Sequence, residues 1–115
     1  MRRSVGLAGE ALARSHLEGE GMKVVVTNYR FMKGEIDIVA REGDVLVFCE
    51  VKARDNDAFG PPECAVTPRK QCQIRKVAEG FLYEHRIVDQ ICRFDVVTVR
   101  FGGTMPVVNH IKNAF

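Results

Sequence analysis

An aspartate, a glutamate and a lysine stand in two short apolar stretches. They are Asp37 in Gly34-Glu35-Ile36-Asp37-Ile38-Val39, and Glu50 and Lys52 in Val47-Phe48-Cys49-Glu50-Val51-Lys52. Two carboxylates brought together repel unless something cationic lies between them. Their oxygens suit a hard cation such as Mg²⁺, which binds through one or two carboxylates, keeps several waters and takes a substrate phosphate as a further ligand. One of those waters can act as the attacking hydroxide. Lys52 lies two residues beyond Glu50, on the same side of an extended strand. It can help deprotonate that water or hold the charge building on phosphorus. The backbone carbonyl of Val51 is a further candidate ligand for the metal. Many nucleases work with such a trio.

A β-hairpin brings the three together. Residues Glu35 to Arg41 and Val45 to Arg54 are rich in Ile, Val, Leu and Phe and read as strands. Between them Gly43-Asp44 suits a two-residue type II′ turn, with Gly at positive φ in the first central position. With that turn Glu42 faces Val45. Ala40 then meets Val47, Ile38 meets Cys49, Asp37 lies opposite Glu50, Ile36 opposite Val51 and Glu35 opposite Lys52. The register puts these apolar residues on one face and Glu35, Asp37, Glu50 and Lys52 on the other. Directly opposed side chains have Cβ atoms roughly 4.5–5.5 Å apart. A slip of one residue would send them to the wrong faces.

The remaining elements supply the frame. Ser4 is a candidate cap for a helix to about Glu18, with Val5, Ala8, Leu12 and, on the flank, Ala11 along one stripe. Gly19 and Gly21 stop it. Met22 to Arg30 is a first strand that Asn28 bends or ends. Asp55 to Val66 is a breaker-rich loop, in which Phe59-Gly60-Pro61-Pro62 serves either as a connector or as a grip on substrate. Thr67-Pro68 starts a second helix running to about His85, with Ile74, Val77, Ala78, Phe81 and Leu82 on its buried stripe. Arg93 to Phe101 is a strand, and Val107 to Ile111 a short final one. The order α-β-β-β-α-β-β predicts an α/β fold with a mixed central sheet and helices on both sides. Val39, Leu46 and Phe48 are apolar on the face that carries the charges, which makes the central strands interior ones.

At 115 residues the chain is expected to form a single domain (1–115) with one real core. A composition of 46% hydrophobic and 28% charged residues is that of an ordinary globular protein. A net charge of +2 permits a polyanion partner without demanding one. No apolar run reaches the length of a membrane span, and the N-terminus lacks a signal-peptide core. Cys49, Cys64, Cys72 and Cys92 show no paired spacing for zinc. They read as reduced thiols of a cytoplasmic protein.

The ordered set of motifs resembles the YraN-type family of the PD-(D/E)XK nuclease superfamily, related to Holliday-junction resolvases. The resemblance spans nearly the whole chain. It takes in Gly9-Glu10 with Ala13, Asn28-Tyr29-Arg30, the two strands quoted above, Val66-Thr67-Pro68-Arg69-Lys70-Gln71 and Arg93-Phe94-Asp95-Val96-Val97. It implies a restriction-endonuclease-like core and a Mg²⁺- or Mn²⁺-dependent endonuclease acting on DNA, with branched DNA as the favoured substrate class and a homodimer as the usual assembly. It carries the metal role onto Asp37 and Glu50 and the catalytic lysine role onto Lys52. Glu10 corresponds to a first-helix glutamate that reaches toward the metal in resolvase-like relatives. The superfamily's Pro-Asp dipeptide is absent, since Ile36 precedes Asp37. Kinship also makes Lys70 and Gln71 the preferred contacts to nucleic acid.

Each residue also has a plainer reading. Asp37, Glu50 and Lys52 could form a structural ion pair on a half-exposed sheet, worth little energetically. Glu10 could face solvent, and Glu35 could be the charge partner of Lys52. Arg69 and Lys76, seven apart, share one side of the second helix. They form either a solvated face or an edge that contacts phosphates without reading bases. His16, His85 and His110 have no ligand spacing and read as surface or helix-end residues. Asp95 interrupts an apolar strand and reads as a buried hydrogen-bond partner. The alternative to an enzyme is a nuclease-fold module that binds nucleic acid with catalysis weak or lost.

Overall fold

The computed structural model describes residues 3–55 and 66–115. The loop motif Phe59-Gly60-Pro61-Pro62 and Cys64 lie outside the described residues. The elements are α1 (Arg3–Gly19), β1 (Lys23–Phe31), β2 (Gly34–Glu42), β3 (Val45–Arg54), α2 (Pro68–Glu84), β4 (Cys92–Arg100) and β5 (Val107–Ile111). The expected order holds. So do the bounds of β3 and β5, while α1 begins one residue before the Ser4 cap position. The strands form one sheet in chain order, β1-β2-β3-β4-β5. Among the described strands only β3 and β4 run parallel, and α2 is the crossover between them. The result is an α/β fold consistent with a restriction-endonuclease-like core.

Each helix covers one face of the sheet. Ala13 and Leu17 of α1 pack with Ile38, Ala40, Val47, Cys49, Val97 and Val99. Ile74, Val77, Ala78 and Phe81 of α2 pack with Ile36, Val39, Leu46 and Phe48. Residues 46 to 49 therefore point alternately at the two helices, as an interior strand requires. At the start of α2 the Thr67 side chain accepts from the Lys70 N–H, and Pro68 fills the first turn.

The buried stripe of α1 is rotated from the expected one. Ala8 and Ala11 are exposed, while Gly9, Ala13 and Leu17 face the sheet. The cause is close approach at Gly9, where an added Cβ would lie 2.5 Å from the Ala53 Cβ. A glycine carries no apolar side chain, so a stripe counted from apolar residues misses it.

The central hairpin has the expected register from Glu42↔Val45 to Ile38↔Cys49, and Gly43 takes φ +60° in its turn. The ladder stops there, so Asp37 and Glu50 are not paired backbones. The reason lies one strand away. Asn28 in β1 takes φ +53°, and the β1–β2 register flanks it with Thr27↔Ile38 and Tyr29↔Ile36. Strict alternation would put Ile36 and Ile38 on one face. Instead Ile38 packs toward α1 and Ile36 toward α2. Both strands change phase at the Asn28/Asp37 level. This corrects the expected facing of Ile36 toward Val51 and of Glu35 toward Lys52.

Candidate active site

The phase change opens a fork between β2 and β3 while β3 stays paired with β4 as far as Arg54↔Arg100. Beyond Cys49, β3 has no backbone partner on its β2 side among the described residues. There the Val51 N–H donates to Asp37 Oδ2 at 2.8 Å. A strand residue turns its N–H and C=O to the same edge, so the Val51 carbonyl also faces the fork.

Glu50 and Lys52 project from β3 toward α2. Glu50 is buried, its side chain 6% exposed, and two ammonium groups flank one of its oxygens. Lys52 Nζ stands 3.8 Å from Glu50 Oε2, and Lys70 Nζ, from the first turn of α2, 3.7 Å from the same atom. These are ion pairs too long for direct hydrogen bonds, so they leave the carboxylate able to accept further ligands. Asp37 completes the group. Burial, then the hydrogen bond and charge of Glu50, push its carboxyl up to about 7, against the opposing pull of the Val51 N–H and Lys70. A buried carboxylate with a second, half-buried one set against it leaves a place that a cation can fill.

Glu10 approaches from the α1 side, placed by the Gly9 contact with β3. Burial and then the charges of Asp37 and Glu35 raise its carboxyl above the ordinary value. With its amide turned to donate, the Asn28 nitrogen lies 3.1 Å from Glu10 Oε1 and 3.2 Å from Glu35 Oε1. Glu35 itself pairs with Arg30 at 3.8 Å rather than with Lys52. The structure thus brings Asp37, Glu50, Lys52 and Lys70 together, sets Glu10 beside them, and moves Glu35 to the other side. Among the described residues, no three His, Cys, Asp or Glu side chains form a group able to hold a metal by themselves.

The α2 residues divide. Arg69, Lys70 and Lys76 line one cavity. The Gln71 amide donates to the Val66 carbonyl at 3.1 Å and ties the chain to the helix start. Arg75 lies over the Phe94 ring, 4.6 Å from its centroid.

Two residues escaped the sequence reading. Asn28 was legible only as a possible bend, although Asn is one of the few side chains that tolerates positive φ. His110 is the clearer miss. It is neither exposed nor at a helix end, but on β5 with its side chain 3% exposed, Nδ1 2.7 Å from Glu20 Oε1 and Nε2 2.7 Å from Asp95 Oδ2. Asp95 is fully buried, as expected of a polar residue in that strand. It also takes Arg93 through both oxygens at 2.8 Å and the Asn113 N–H at 3.0 Å. Burial works to raise its carboxyl, but those donors outweigh it and hold it below the usual range. Arg93 and Lys112 then share Glu42 at 2.7 and 2.9 Å. This cluster clamps β4 to β5 and to the end of β2, away from the fork.

The sequence profile described as "Uncharacterised protein family UPF0102" matches residues 9–99. The chain is 48% identical over 113 residues to a UPF0102 protein of Geobacter metallireducens, covering 98% of this chain and 93% of that one. To a UPF0102 protein of Alkaliphilus oremlandii it is 42% identical over 117 residues, the whole of both chains. To one of Geobacter sulfurreducens it is 43% identical over 112 residues, covering 96% of this chain and 88% of that one.

Proposed function

We propose that this chain, which belongs to the uncharacterised protein family UPF0102, is a metal-dependent endonuclease of the PD-(D/E)XK type. It hydrolyses DNA phosphodiester bonds in branched or repair-intermediate DNA, in the cytoplasm, and works as a homodimer because a branch needs two cuts. The observation that carries the reading is the fork, where Asp37 takes the Val51 N–H at 2.8 Å next to the buried Glu50, with Lys52 and Lys70 within 4.0 Å of Glu50. A surface ion pair would not bury its carboxylate, nor set a second acid against it.

The donor set fits Mg²⁺ or Mn²⁺. Asp37, Glu50 and the Val51 carbonyl would hold the ion, which would supply Lewis-acid activation at the phosphodiester when bound. Two carboxylates and a carbonyl suit an ion that keeps waters and takes a substrate oxygen. The chain's own groups do the rest. Lys52 stabilises the negative charge on the non-bridging phosphoryl oxygens as water adds to phosphorus and the P–O ester bond breaks. Lys70 neutralises Glu50 and presents a cation to the incoming phosphate. Glu10, held by Asn28 and raised by burial, sits where it can accept a proton. Arg69 and Lys76 contact backbone phosphates farther along and position the strand.

One observation favours a second reading, a nucleic-acid-binding module without catalysis. It is the absence, among the described residues, of a metal group of three or more such side chains. Metal-freed protein incubated with junctions, flaps, linear duplexes and RNA, with and without Mg²⁺ or Mn²⁺, separates the two. Metal-dependent cutting that Asp37→Ala and Glu50→Ala abolish supports the enzyme. No cutting, with DNA binding indifferent to metal and to Glu50→Ala, establishes the module instead.

A further inference from the structure

A cavity of about 700 Å³ lies between the β1–β2 turn and the first turns of α2. It lies within the usual size range of ligand sites, roughly 300–1,000 Å³. Its floor is apolar, formed by Phe31 and Cys72 over a Val77 that is itself buried. Its rim carries four cations, Lys33 from the turn and Arg69, Lys70 and Lys76 from the helix. Among the described residues Lys33, Arg69 and Lys76 have no ion-pair partner. Lys70 reaches Glu50, so the cavity opens directly beside the fork.

The β1–β2 turn adds a second, independent peculiarity. Met32 lines the cavity yet is 90% exposed, and its backbone takes φ +54°. A glycine would occupy that position without strain. The fold gains nothing from an apolar side chain left in water on a left-handed backbone. Strain of this kind clusters at ligand clamps and active sites. Methionine is among the apolar side chains that proteins insert between bases.

We propose that this cavity holds one unpaired nucleotide of the polynucleotide strand bound at the fork. The base lies on the Phe31 floor with Met32 against it, and the adjoining phosphates lie on Lys33, Arg69 and Lys76. A duplex hides its base faces and leaves the floor unrewarded, so the ligand is a strand that is locally single. Cation rim and apolar floor together are the pattern of single-strand binding sites. The proposal rests on the nuclease reading for the strand's path past Glu50, and it names what that reading left open, a preference for unpaired structure next to the cut.

The test is fluorescence anisotropy in EDTA with the full chain, where nothing is cut. The probes are one labelled sequence as single-stranded DNA, as single-stranded RNA and as blunt duplex DNA. Single strands should bind at least about fivefold more tightly than duplex, through the exposed base face. Lys33→Glu with Lys76→Glu should weaken single-strand binding about tenfold or more and flatten its salt dependence. Met32→Gly should weaken it about threefold, leave duplex binding unchanged and leave the melting temperature unchanged or higher. Equal binding of single and double strands, or Met32→Gly indistinguishable from wild type on single strands, overturns the proposal. RNA bound as tightly as DNA or more so keeps the cavity and removes the DNA restriction above. Binding as described without any metal-dependent cutting overturns only the nuclease. Cutting that survives with single-strand binding unmoved by these substitutions overturns only the cavity.

Discussion

Burial of Asp37, and then its approach to Glu50, should make the metal-free protein lose stability as pH rises. An aspartate in the unfolded chain releases its proton near 3.8, whereas folded Asp37 holds it up to about 7. Below the lower value both states are protonated, and above the higher value both are ionised. Between them the native state binds one more proton than the unfolded state, so unfolding free energy falls as pH rises. At about 1.4 kcal/mol per pH unit the full loss is roughly 4 kcal/mol, an upper bound for a pair that can relax apart. That is a large share of the roughly 5–15 kcal/mol by which native domains are stable. Asp37→Asn removes the titration and keeps the shape. The Asn oxygen still accepts from Val51, and its amide donates to Glu50. Urea unfolding of both proteins in EDTA, across the interval from weakly acidic to above pH 7, checks this. The Asn variant should overtake wild type as pH rises, by about 1–4 kcal/mol at the top of the interval. Saturating Mn²⁺ should remove most of the wild-type loss and leave the variant unmoved. Asp95, Glu20 and Glu42 are all held below their ordinary values. Their contributions therefore change only at lower pH and cancel in the difference. Parallel curves for wild type and variant would show that the two carboxyls do not share a site, and the metal-binding argument would fall with them.

The other predictions concern the parts that hold the fork in place. Gly9→Ala should cost about 1–3 kcal/mol by driving a methyl into Ala53, and Ala53→Gly in the same chain should recover most of it in a double-mutant cycle of thermal melts. Asp95→Ala should cost roughly 3–5 kcal/mol, because Arg93 and His110 are left without their buried anion. Asp95→Asn should blunt the acid unfolding limb, since a depressed carboxyl contributes stability above about pH 4 that is lost as pH falls through its folded value. Lys52→Ala should lower the single-turnover cutting rate about a hundred- to a thousandfold with little change in substrate affinity. An equal fall in affinity would make Lys52 a binding residue.

How much of this was legible depended on the range of the interaction. The Gly43-Asp44 turn sets the hairpin register through two residues, and the observed ladder follows it down to Ile38↔Cys49. Thr67-Pro68 starts α2 by local chemistry. The run apolar on both faces, residues 46–49, marks an interior strand without reference to anything else. What failed involved partners distant in sequence. Nothing near His110 says that Glu20 and Asp95, 90 and 15 residues away, will take its two nitrogens. The α1 stripe was misplaced because the contact that orients it is a glycine against Ala53. Ile36 looked like the companion of Ile38 because alternation is a rule about one strand. It fails here because a residue in the neighbouring strand turns left-handed.

That failure is also what makes the site. Had β2 kept its phase, the ladder would have continued through Asp37 and Glu50, and the Val51 N–H would have been spent on a backbone carbonyl. The two acids would then have stood side by side on a closed sheet, their separation set by strand spacing. With the phase broken, Asp37 replaces the missing carbonyl at Val51, so its carboxylate enters the line of the ladder itself. The Val51 carbonyl, released by the same break, looks into the same gap. Asn28 is therefore a positioning residue rather than a decoration of β1, since its φ of +53° aligns the break and its amide ties Glu10 and Glu35 to it. Asn28→Gly permits the same backbone without the amide, whereas Asn28→Val resists the left-handed turn. If the fork depends on that turn, Gly should retain most metal binding at Asp37 and Glu50 and Val should lose it, read by Mn²⁺ titration calorimetry. Equal binding by all three proteins would mean that the two acids find each other without help from β1.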